Sequence, residues 1–228
     1  EKLYLACEKV EGAGASHLAR LPKLKTLYLD TRGATLPEVG LKSISQIKSL
    51  EGLFLEESVV DASGLQHLAK LQNLKSLNLT GSPVGDAVSK ILAKMPKLER
   101  LYLAETEITD ASIEVIANLA SLTELELAWT KISDVGVAKL VSLSELEYLS
   151  LYGTKTGDAG LTHLAELKNL KRLEVIETTL TKDGLIKLAK ALPECHIEHE
   201  IEGAAAIGIP EGGIDGMMPA AAFDELTN

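Results

Sequence analysis

Three residues near the end of the chain have side chains that could bind a metal ion. Cys195, His196 and His199 form a C-H-x-x-H cluster, and cysteine and histidine are the usual ligands of zinc. A structural zinc site needs four protein ligands, and a catalytic site needs three and a water molecule. A shared edge strand over His196 to Ile201 accounts for the spacing without a metal. We therefore predict no metal site and no cofactor.

Acidic and histidine side chains offer a second kind of chemistry, general acid–base catalysis. Glu124 and Glu126 alternate along one predicted strand face, but such a pair needs two different environments to separate its pKa values, and we expect no pocket of that kind. His17, His67 and His163 occupy the same position in separate repeats and cannot meet. The GxSxG, HExxH, Walker, GxGxxG and EF-hand patterns do not occur in the sequence. We predict that the protein is not an enzyme.

The elements that position these residues follow from an internal repeat. Leucine recurs at the start of a common frame, which begins at Leu24, Leu50, Leu74, Leu98, Leu122, Leu146 and Leu170. The units are 24 residues apart, except that the first of them runs 26 residues, and a partial unit with Leu3 and Leu5 precedes them. Counting from the frame leucine as position 0, leucines at +3 and +5 alternate as in a strand with one buried face. Apolar residues at +15, +18 and +21 have helical spacing.

Two further positions mark the junction between strand and helix. Aspartate stands at +12, where the helix should begin, at Asp86, Asp110, Asp134 and Asp158. We predict that these residues are N-cap acceptors or lie beside a Ser or Thr cap. Glycine stands at +14, at Gly64, Gly136, Gly160 and Gly184, and indicates close packing between turn and helix. A repeated strand and helix with short connections predicts parallel strands and right-handed crossovers, stacked into a solenoid.

The repeat LxxLxLxxTxI(T/S)DxGLxxLxxLxxL resembles a leucine-rich repeat, and LERLYLAETEITDASIEVIANLASL shows it almost intact. Its TDxGL segment is similar to the ribonuclease-inhibitor-like and F-box-type subclass, in the threonine-bearing bacterial version. The resemblance implies an α/β fold, a right-handed horseshoe solenoid of about eight repeats over residues 1–201. Its parallel β-sheet lies on the concave face and its helices on the convex face.

Position +8 departs from the resemblance, because the family commonly has Asn or Cys there, bonded to neighbouring backbone. This chain has Ser58, Ser82, Thr106, Thr130, Thr154 and Thr178. A hydroxyl both donates and accepts, so we predict a Ser/Thr ladder that Glu8 and Arg32 interrupt. We predict a locally irregular loop over residues 30–37, where the two extra residues fall.

The two ends of the chain differ from the repeats between them. The N-terminus lies in the middle of a repeat, so further sequence can precede it, and we predict that residues 202–228, rich in Gly, Ala and Pro, form a flexible tail. Covering of the solenoid end by apolar residues of this segment is the alternative.

The net charge of −10 disfavours nucleic acid and anionic membranes as partners, and no apolar run approaches a membrane span of about 18 residues. We expect a soluble monomer whose compartment, cytoplasmic or exported, the sequence leaves open.

Seven of the eight aromatic residues fall at positions that should face away from the leucines, and the eighth, Phe223, is in the tail. Position +4 carries Tyr4, Tyr28, Phe54 and Tyr102, while Tyr148, Trp129 and Tyr152 lie at +2, +7 and +6. Together with Glu126 and Arg100 these seven residues form the predicted binding surface, since Tyr and Trp are enriched in binding hot spots. The alternative is that aromatic residues favour strands and stack as a column.

We therefore predict a non-enzymatic module that binds a protein partner, one with a basic surface, through a concave aromatic and acidic face. A structural or adaptor solenoid from a larger protein, with its activity encoded elsewhere, is the alternative. Carbohydrate binding on the aromatic rings ranks below both.

Overall fold

A parallel sheet of nine strands runs through the computed structural model, which describes residues 1–6, 17–18, 20–60 and 62–202. The strands follow one another in chain order, and equivalent positions pair, as Leu101, Leu125 and Leu149 do across three successive strands. This register follows from the repeat, because each unit contributes one strand and one return segment. The predicted α/β solenoid is confirmed, with His196–Glu198 as the edge strand that closes it.

The bounds of the elements show short strands and short helical segments. The nine-stranded sheet contains β1 (Lys2–Ala6), β2 (Thr26–Asp30), β4 (Gly52–Phe54), β6 (Ser76–Asn78), β7 (Arg100–Tyr102), β8 (Glu124–Glu126), β9 (Tyr148–Ser150), β10 (Arg172–Glu174) and β11 (His196–Glu198). A separate pair is formed by β3 (Thr35–Leu36) and β5 (Val59–Val60). The α-helices are α1 (Glu38–Ile44), α2 (Ala62–Leu68), α3 (Ser89–Leu92), α4 (Asp110–Ile116), α5 (Asp134–Val137), α6 (Asp158–Leu161) and α7 (Lys182–Ala191). Short 3₁₀ turns span Asp86–Val88, Leu140–Ser142 and Thr162–Glu166.

The core is a continuous stack of aliphatic side chains between the sheet and the helices. Leu101 and Leu103, at +3 and +5, are fully buried, and so are their equivalents Leu125 and Leu127 in the next unit. The helical positions +15, +18 and +21 complete the same cluster, as Leu161, Leu164 and Leu167 do. Each fully buried leucine contributes about 1.5–3 kcal/mol relative to an exposed one. Neighbouring units supply this burial to each other.

The aspartates at +12 connect each repeat to the next. Asp110 is the first residue of α4, and its carboxylate accepts the backbone N–H of Ser133 at 2.8 Å and the Ser133 hydroxyl at 2.5 Å. Ser133 is in turn the N-cap of α5 and accepts from the N–H of Val135. The Ser/Thr residue is therefore the cap, and the aspartate beside it holds the cap of the following helix. The same contact joins Asp86 to Thr109, Asp134 to the N–H of Gly157, and Asp158 to Thr181.

The glycines at +14 leave space for these aspartates. A Cβ atom on Gly160 would lie 2.6 Å from Oδ1 of Asp134, which no side chain could tolerate without movement. The equivalent contact at Gly136 is with Oδ1 of Asp110. Where serine replaces the glycine, at Ser112, its hydroxyl donates to Oδ1 of Asp86 at 2.6 Å. The predicted close packing at +14 is a packing against the preceding repeat.

The threonines at +8 bond to the backbone of the turn as predicted, and each does so within its own repeat. The hydroxyl of each one donates to the carbonyl three residues earlier in its own repeat, at 2.6–2.7 Å, for Thr106, Thr130, Thr154 and Thr178. Ser82 differs, since its hydroxyl donates to the carbonyl of Ser58 in the preceding repeat at 2.6 Å. The threonine hydroxyls therefore satisfy the turn within each repeat, and the Ser82 hydroxyl links one repeat to the preceding one.

The segment 30–37 is more regular than predicted. Thr35 and Leu36 form a strand that pairs with Val59 and Val60, and Leu36 is fully buried. The Thr31 hydroxyl donates to the carbonyl of Ala34 at 2.8 Å, and positive φ at Arg32 and Gly33 absorbs the extra residues. The predictions for Glu8 and for the tail from residue 203 onwards concern residues outside the described ranges. None of the helices in those ranges combines the length and hydropathy of a membrane span.

Candidate binding surface

The face of the sheet that points away from the leucine core, called the concave face below, ends in a left-handed turn in each of six consecutive repeats. Position +7 has positive φ throughout, at Glu57 (55°), Gly81 (70°), Glu105 (55°), Trp129 (55°), Gly153 (66°) and Glu177 (51°). A residue with a side chain pays roughly 1–2 kcal/mol for this conformation. The fold therefore prefers glycine here, and the chain carries Glu or Trp at four of the six positions.

Trp129 is held at this turn with its side chain 47% exposed. Its indole lies over Gly153, where a Cβ atom would come within 2.5 Å of Cε3. The ring centroids of Trp129 and Tyr152 are 5.0 Å apart, at an interplanar angle of 59°. The backbone N–H of Trp129 donates to the backbone carbonyl of Tyr152 at 2.7 Å. The indole also borders an open depression lined by Glu105, Thr106 and Glu107. A large apolar group is therefore both positioned and accessible.

The aromatic residues at +4 are arranged differently. The rings of Tyr4 and Tyr28 stack with centroids 4.2 Å apart, and those of Tyr28 and Phe54 with centroids 4.3 Å apart. Stacking leaves Tyr28 9% and Phe54 6% exposed, whereas Tyr4 at the end of the column is 62% exposed. Tyr102 is 4% exposed, but Asn78 lies between it and Phe54 in the sheet. The three buried rings form an apolar cluster separate from the leucine core. Tyr4, Tyr28 and Phe54 have the geometry of the alternative interpretation, a column stacked between strands. The three buried rings offer a partner little surface.

Three tyrosine hydroxyls on this face are bonded to carboxylates of the next strand or turn. Tyr102 donates to Glu124 at 2.5 Å, Tyr148 to Glu174 at 3.1 Å, and Tyr152 to Glu177 at 3.1 Å. Burial and then the charge of Glu174 raise the pKa of Tyr148, so its hydroxyl stays a donor. These bonds fix the rings and occupy one oxygen of each of the three carboxylates.

The basic residues of the face also pair within the chain. Arg172 contacts Glu174 at 3.0 Å and Glu198 at 2.7 Å, and its guanidinium lies 5.6 Å from the centroid of the Tyr148 ring. Arg100 donates from Nε to the Ser76 hydroxyl at 2.8 Å. The predicted site residue Arg100 is thus bonded to the neighbouring strand.

Glu126 has a different environment from Glu124, two residues earlier on the same face. Its Oε2 atom is buried and has no hydrogen-bond partner among the described residues. Burial, followed by the charges of Glu174, Glu56 and Glu105, raises the pKa of Glu126 to about 7. The expectation that this pair lacks mixed environments is therefore wrong, because Tyr102 bonds one carboxylate and neighbouring side chains bury the other.

Ser150 lies beside Glu126 in the register of β8 and β9. It is fully buried, and its hydroxyl has no partner within the described part of the chain. An unsatisfied buried polar group costs about 1–3 kcal/mol, and more when it is charged. Two residues paired across β8 and β9 thus each have a buried polar atom without a hydrogen-bond partner in the described part of the chain.

The C-H-x-x-H cluster does not converge on one point. His196 and Glu198 lie on the concave face, and strand alternation turns Ile197 and His199 to the other side. His199 is fully buried and accepts the N–H of Ile201 at Nδ1. Burial raises the pKa of Cys195 to about 11. No group of three or more possible metal ligands occurs in the ranges that the structure describes.

Sequence reasoning missed the left-handed turn at +7, the role of Gly153 and the position of Ser150. A signal for the first two was present, since the +7 residues in order from Glu57 read Glu, Gly, Glu, Trp, Gly and Glu. Glycine at a fixed repeat position indicates positive φ or a close approach. Ser150 carried no such signal.

Comparisons with known proteins agree with the fold. The family model described as "Leucine Rich repeat" matches residues 70–87 and 118–141. No curated protein matches the sequence. Among solved structures, an internalin (inlF) from Listeria monocytogenes is 20% identical with a TM-score of 0.57, and the match covers 82% of this chain and 64% of that one.

Two further solved structures are similar. Internalin C2 (inlC2) from Listeria monocytogenes is 26% identical with a TM-score of 0.58, over 76% of this chain and 71% of that one. A chain in the complex of the Arabidopsis receptor kinase HAESA with the peptide hormone IDA and the co-receptor SERK1 is 21% identical with a TM-score of 0.53. That match covers 81% of this chain and 30% of the other.

Proposed function

We propose that this leucine-rich repeat protein is a non-enzymatic module that binds a protein partner through its concave face, with Trp129 at the centre of the contact. The observation that carries the proposal is the placement of Trp129, half-exposed in a left-handed turn that favours glycine. Strained backbone persists where surrounding structure enforces it, and such positions cluster at functional sites. Trp and Tyr are also the residues most enriched in binding hot spots.

The contact region is smaller than the predicted surface. Trp129 and Tyr152 contact each other and are both at least partly exposed, while Tyr28, Phe54 and Tyr102 are buried. A partner would cover the Trp129 ring, the adjacent depression and the acidic rim formed by Glu105 and Glu177.

The charge of this face favours a basic partner. Burial, followed by the charges of neighbouring acids, raises the pKa of Glu56 and of Glu126. Glu105 is among the acids that act on both, which indicates unbalanced negative charge at the concave face. Complementary charge on a partner would accelerate association and improve specificity. The peptide hormone and co-receptor named with HAESA are consistent with a role in protein binding for this fold.

The finer resemblance, to the ribonuclease-inhibitor-like and F-box-type subclass, belongs to the same proposal. It is supported by the pairing of Asp at +12 with Gly or Ser at +14, which accounts for the TDxGL segment through contacts between repeats. The adaptor alternative remains a proposal of its own, because the chain spans 64% of the internalin inlF chain and 30% of the HAESA-complex chain that it matches.

The test is affinity capture from a native extract with the Trp129→Ala/Tyr152→Ala double variant. We expect captured partner to fall at least tenfold, since hot-spot truncations cost about 2 kcal/mol or more each, while the far-UV spectrum and the midpoint of unfolding change little. Val135→Ala is the matched control, because Val135 is exposed on α5, away from the concave face. Equal capture by wild type and the double variant would refute the proposal.

A further inference from the structure

The centre of the concave face has a row of three side chains in register. Glu126 on β8 pairs with Tyr102 on β7 and with Ser150 on β9. The Tyr102 hydroxyl donates to Glu124 and is therefore directed away from Glu126. Of its two neighbours in the row, Ser150 is the one whose polar atom is left without a bond.

The two unsatisfied atoms could both accept hydrogen bonds from one donor group. When Glu126 is ionised its Oε2 accepts hydrogen bonds only, and the Ser150 hydroxyl can accept as well as donate. The chain does not join them to each other, since both atoms are buried without a partner among residues 1–6, 17–18, 20–60 and 62–202. A single group with several N–H donors would satisfy both, and a positive charge on it would balance the carboxylate.

The cations of this face are already engaged elsewhere. On the far side of β9, Arg172 pairs with Glu174 and Glu198. On the near side, Arg100 donates to Ser76. The charges that act on Glu126 are those of the carboxylates of Glu174, Glu56 and Glu105. The row therefore lies in a negatively charged environment.

We propose that the concave face takes up one cationic side chain of the protein partner, a lysine or an arginine, whose N–H groups donate to Glu126 Oε2 and Ser150 Oγ. Both atoms are buried in the free protein, so binding requires the part-exposed Glu126 side chain to turn outward and admit the cation. This inference rests on the proposed function, for which it specifies the chemistry of the contact. Trp129, three residues along the same strand and turn, would then contact the partner beside the cation.

The proposal makes binding depend on the protonation of Glu126. The cation binds the ionised carboxylate and not the protonated acid, so it lowers the pKa of Glu126 from about 7. Affinity is therefore higher at pH 8 than at pH 6, and the occupied site holds fewer protons than the free one. By linkage, a probe at about ten times its dissociation constant lowers the pKa by about one.

The experiment follows the carboxyl ¹³C resonance of Glu126 during a pH titration, identified by its absence in Glu126→Gln. The probes are the amides of acetyl-lysine and acetyl-arginine, and acetyl-norleucine amide and sodium chloride at equal ionic strength are the controls. We expect the two cationic probes to lower the titration midpoint and the controls to leave it in place. The probe with the lower dissociation constant identifies which side chain the site prefers.

Two variants separate the site from a general charge effect. Ser150→Ala removes one acceptor and should weaken probe binding about two- to tenfold. Glu124→Gln removes an equal charge from the same strand face, but its carboxylate is bonded by Tyr102, so probe binding should persist. Thermal unfolding confirms that each variant is folded.

Two results would overturn the inference. One is a midpoint that moves no further with the cationic probes than with sodium chloride. The other is a loss of probe binding in the Glu124→Gln variant that equals the loss in the Ser150→Ala variant. Either result, combined with reduced capture by the Trp129→Ala/Tyr152→Ala variant, would remove the cation site and leave the protein-binding face intact.

Discussion

At the scale of single residues, the concave face is shaped by pairs in which a large side chain lies over a glycine of the following repeat. Trp129 covers Gly153, and the Glu57 side chain covers Gly81. Both glycines also have positive φ, 66° and 70°. Glycine is needed at Gly153 for two independent reasons, the backbone conformation and the space for the indole, while at Gly81 the neighbouring side chain is flexible.

Gly153→Ala should therefore cost more stability than Gly81→Ala. Both variants pay roughly 1–2 kcal/mol for a side chain at positive φ. In Gly153→Ala the new Cβ also overlaps the Trp129 ring, 2.5 Å away, whereas in Gly81→Ala the nearest atom is Glu57 Cγ at 3.3 Å. Urea unfolding of the two variants measures the difference.

The single tryptophan provides a second readout of the same pair. Displacement of the indole in Gly153→Ala should shift its emission to longer wavelength, because the ring becomes more exposed to water. Gly81→Ala should leave the emission unchanged. Equal losses of stability together with identical emission spectra would contradict the packing of Trp129 on Gly153.

At the scale of the elements, each helix start depends on the repeat before it. The caps Thr109, Ser133 and Thr181 are held by the aspartates of the preceding repeats. The Asp158 carboxylate accepts the N–H and the hydroxyl of Thr181, the N-cap of α7. These bonds, the side-chain bond first, hold the pKa of Asp158 below its usual value.

Asp158→Ala should destabilise the protein near neutral pH and have little effect in acid. A lowered pKa in the folded state means that the stabilisation is present above the unfolded pKa of about 3.9 and is lost as pH falls through the folded pKa. The difference in free energy of unfolding between wild type and variant, measured by urea titration from pH 7 to pH 3, should shrink below about pH 4.

Asp183→Ala is the control for this prediction, since Asp183 lies in the first turn of the same helix and is exposed. It reports the contribution of a charge near the helix N-terminus, which is typically about 0.3–1 kcal/mol. A loss in Asp158→Ala no larger than that in Asp183→Ala at pH 7 would argue against the contact between repeats.

At the scale of the whole molecule, stability is a sum over neighbouring repeats. Each leucine of a central unit is buried by the units on both sides, as Leu127 is, with no exposed surface. Leu5 occupies the same +5 position in β1 but is only partly buried. In a solenoid each repeat contacts only its neighbours, so equivalent positions contribute unequally.

Leu127→Ala should lower the free energy of unfolding by about 2–5 kcal/mol, the usual cost of a leucine truncation in a packed core. Leu5→Ala should cost less, because less apolar surface is buried there and solvent can fill the space. Urea unfolding of both variants, monitored by far-UV circular dichroism, tests this order, and a larger loss in Leu5→Ala would contradict it.

The periodicity of the sequence was sufficient to predict the strands, the return helices and the leucine core. Leucine alternation predicts a strand wherever it occurs, and a period of 24 residues allows one register only, as Leu101, Leu125 and Leu149 demonstrate. The same period placed Trp129 and Tyr152 outside that core. These features depend on residue type and spacing, which are properties of the sequence alone.

The tertiary structure decided what each residue outside the leucine core does, because that depends on neighbours about one repeat away. Tyr28 is buried while Tyr4 is exposed, since rings stack on both sides of one and on one side of the other. Glu126 differs from Glu124 because a tyrosine hydroxyl reaches only the latter. Position in the repeat determines which way a side chain points, but its burial, bonds and charge are set by residues brought beside it when the repeats stack.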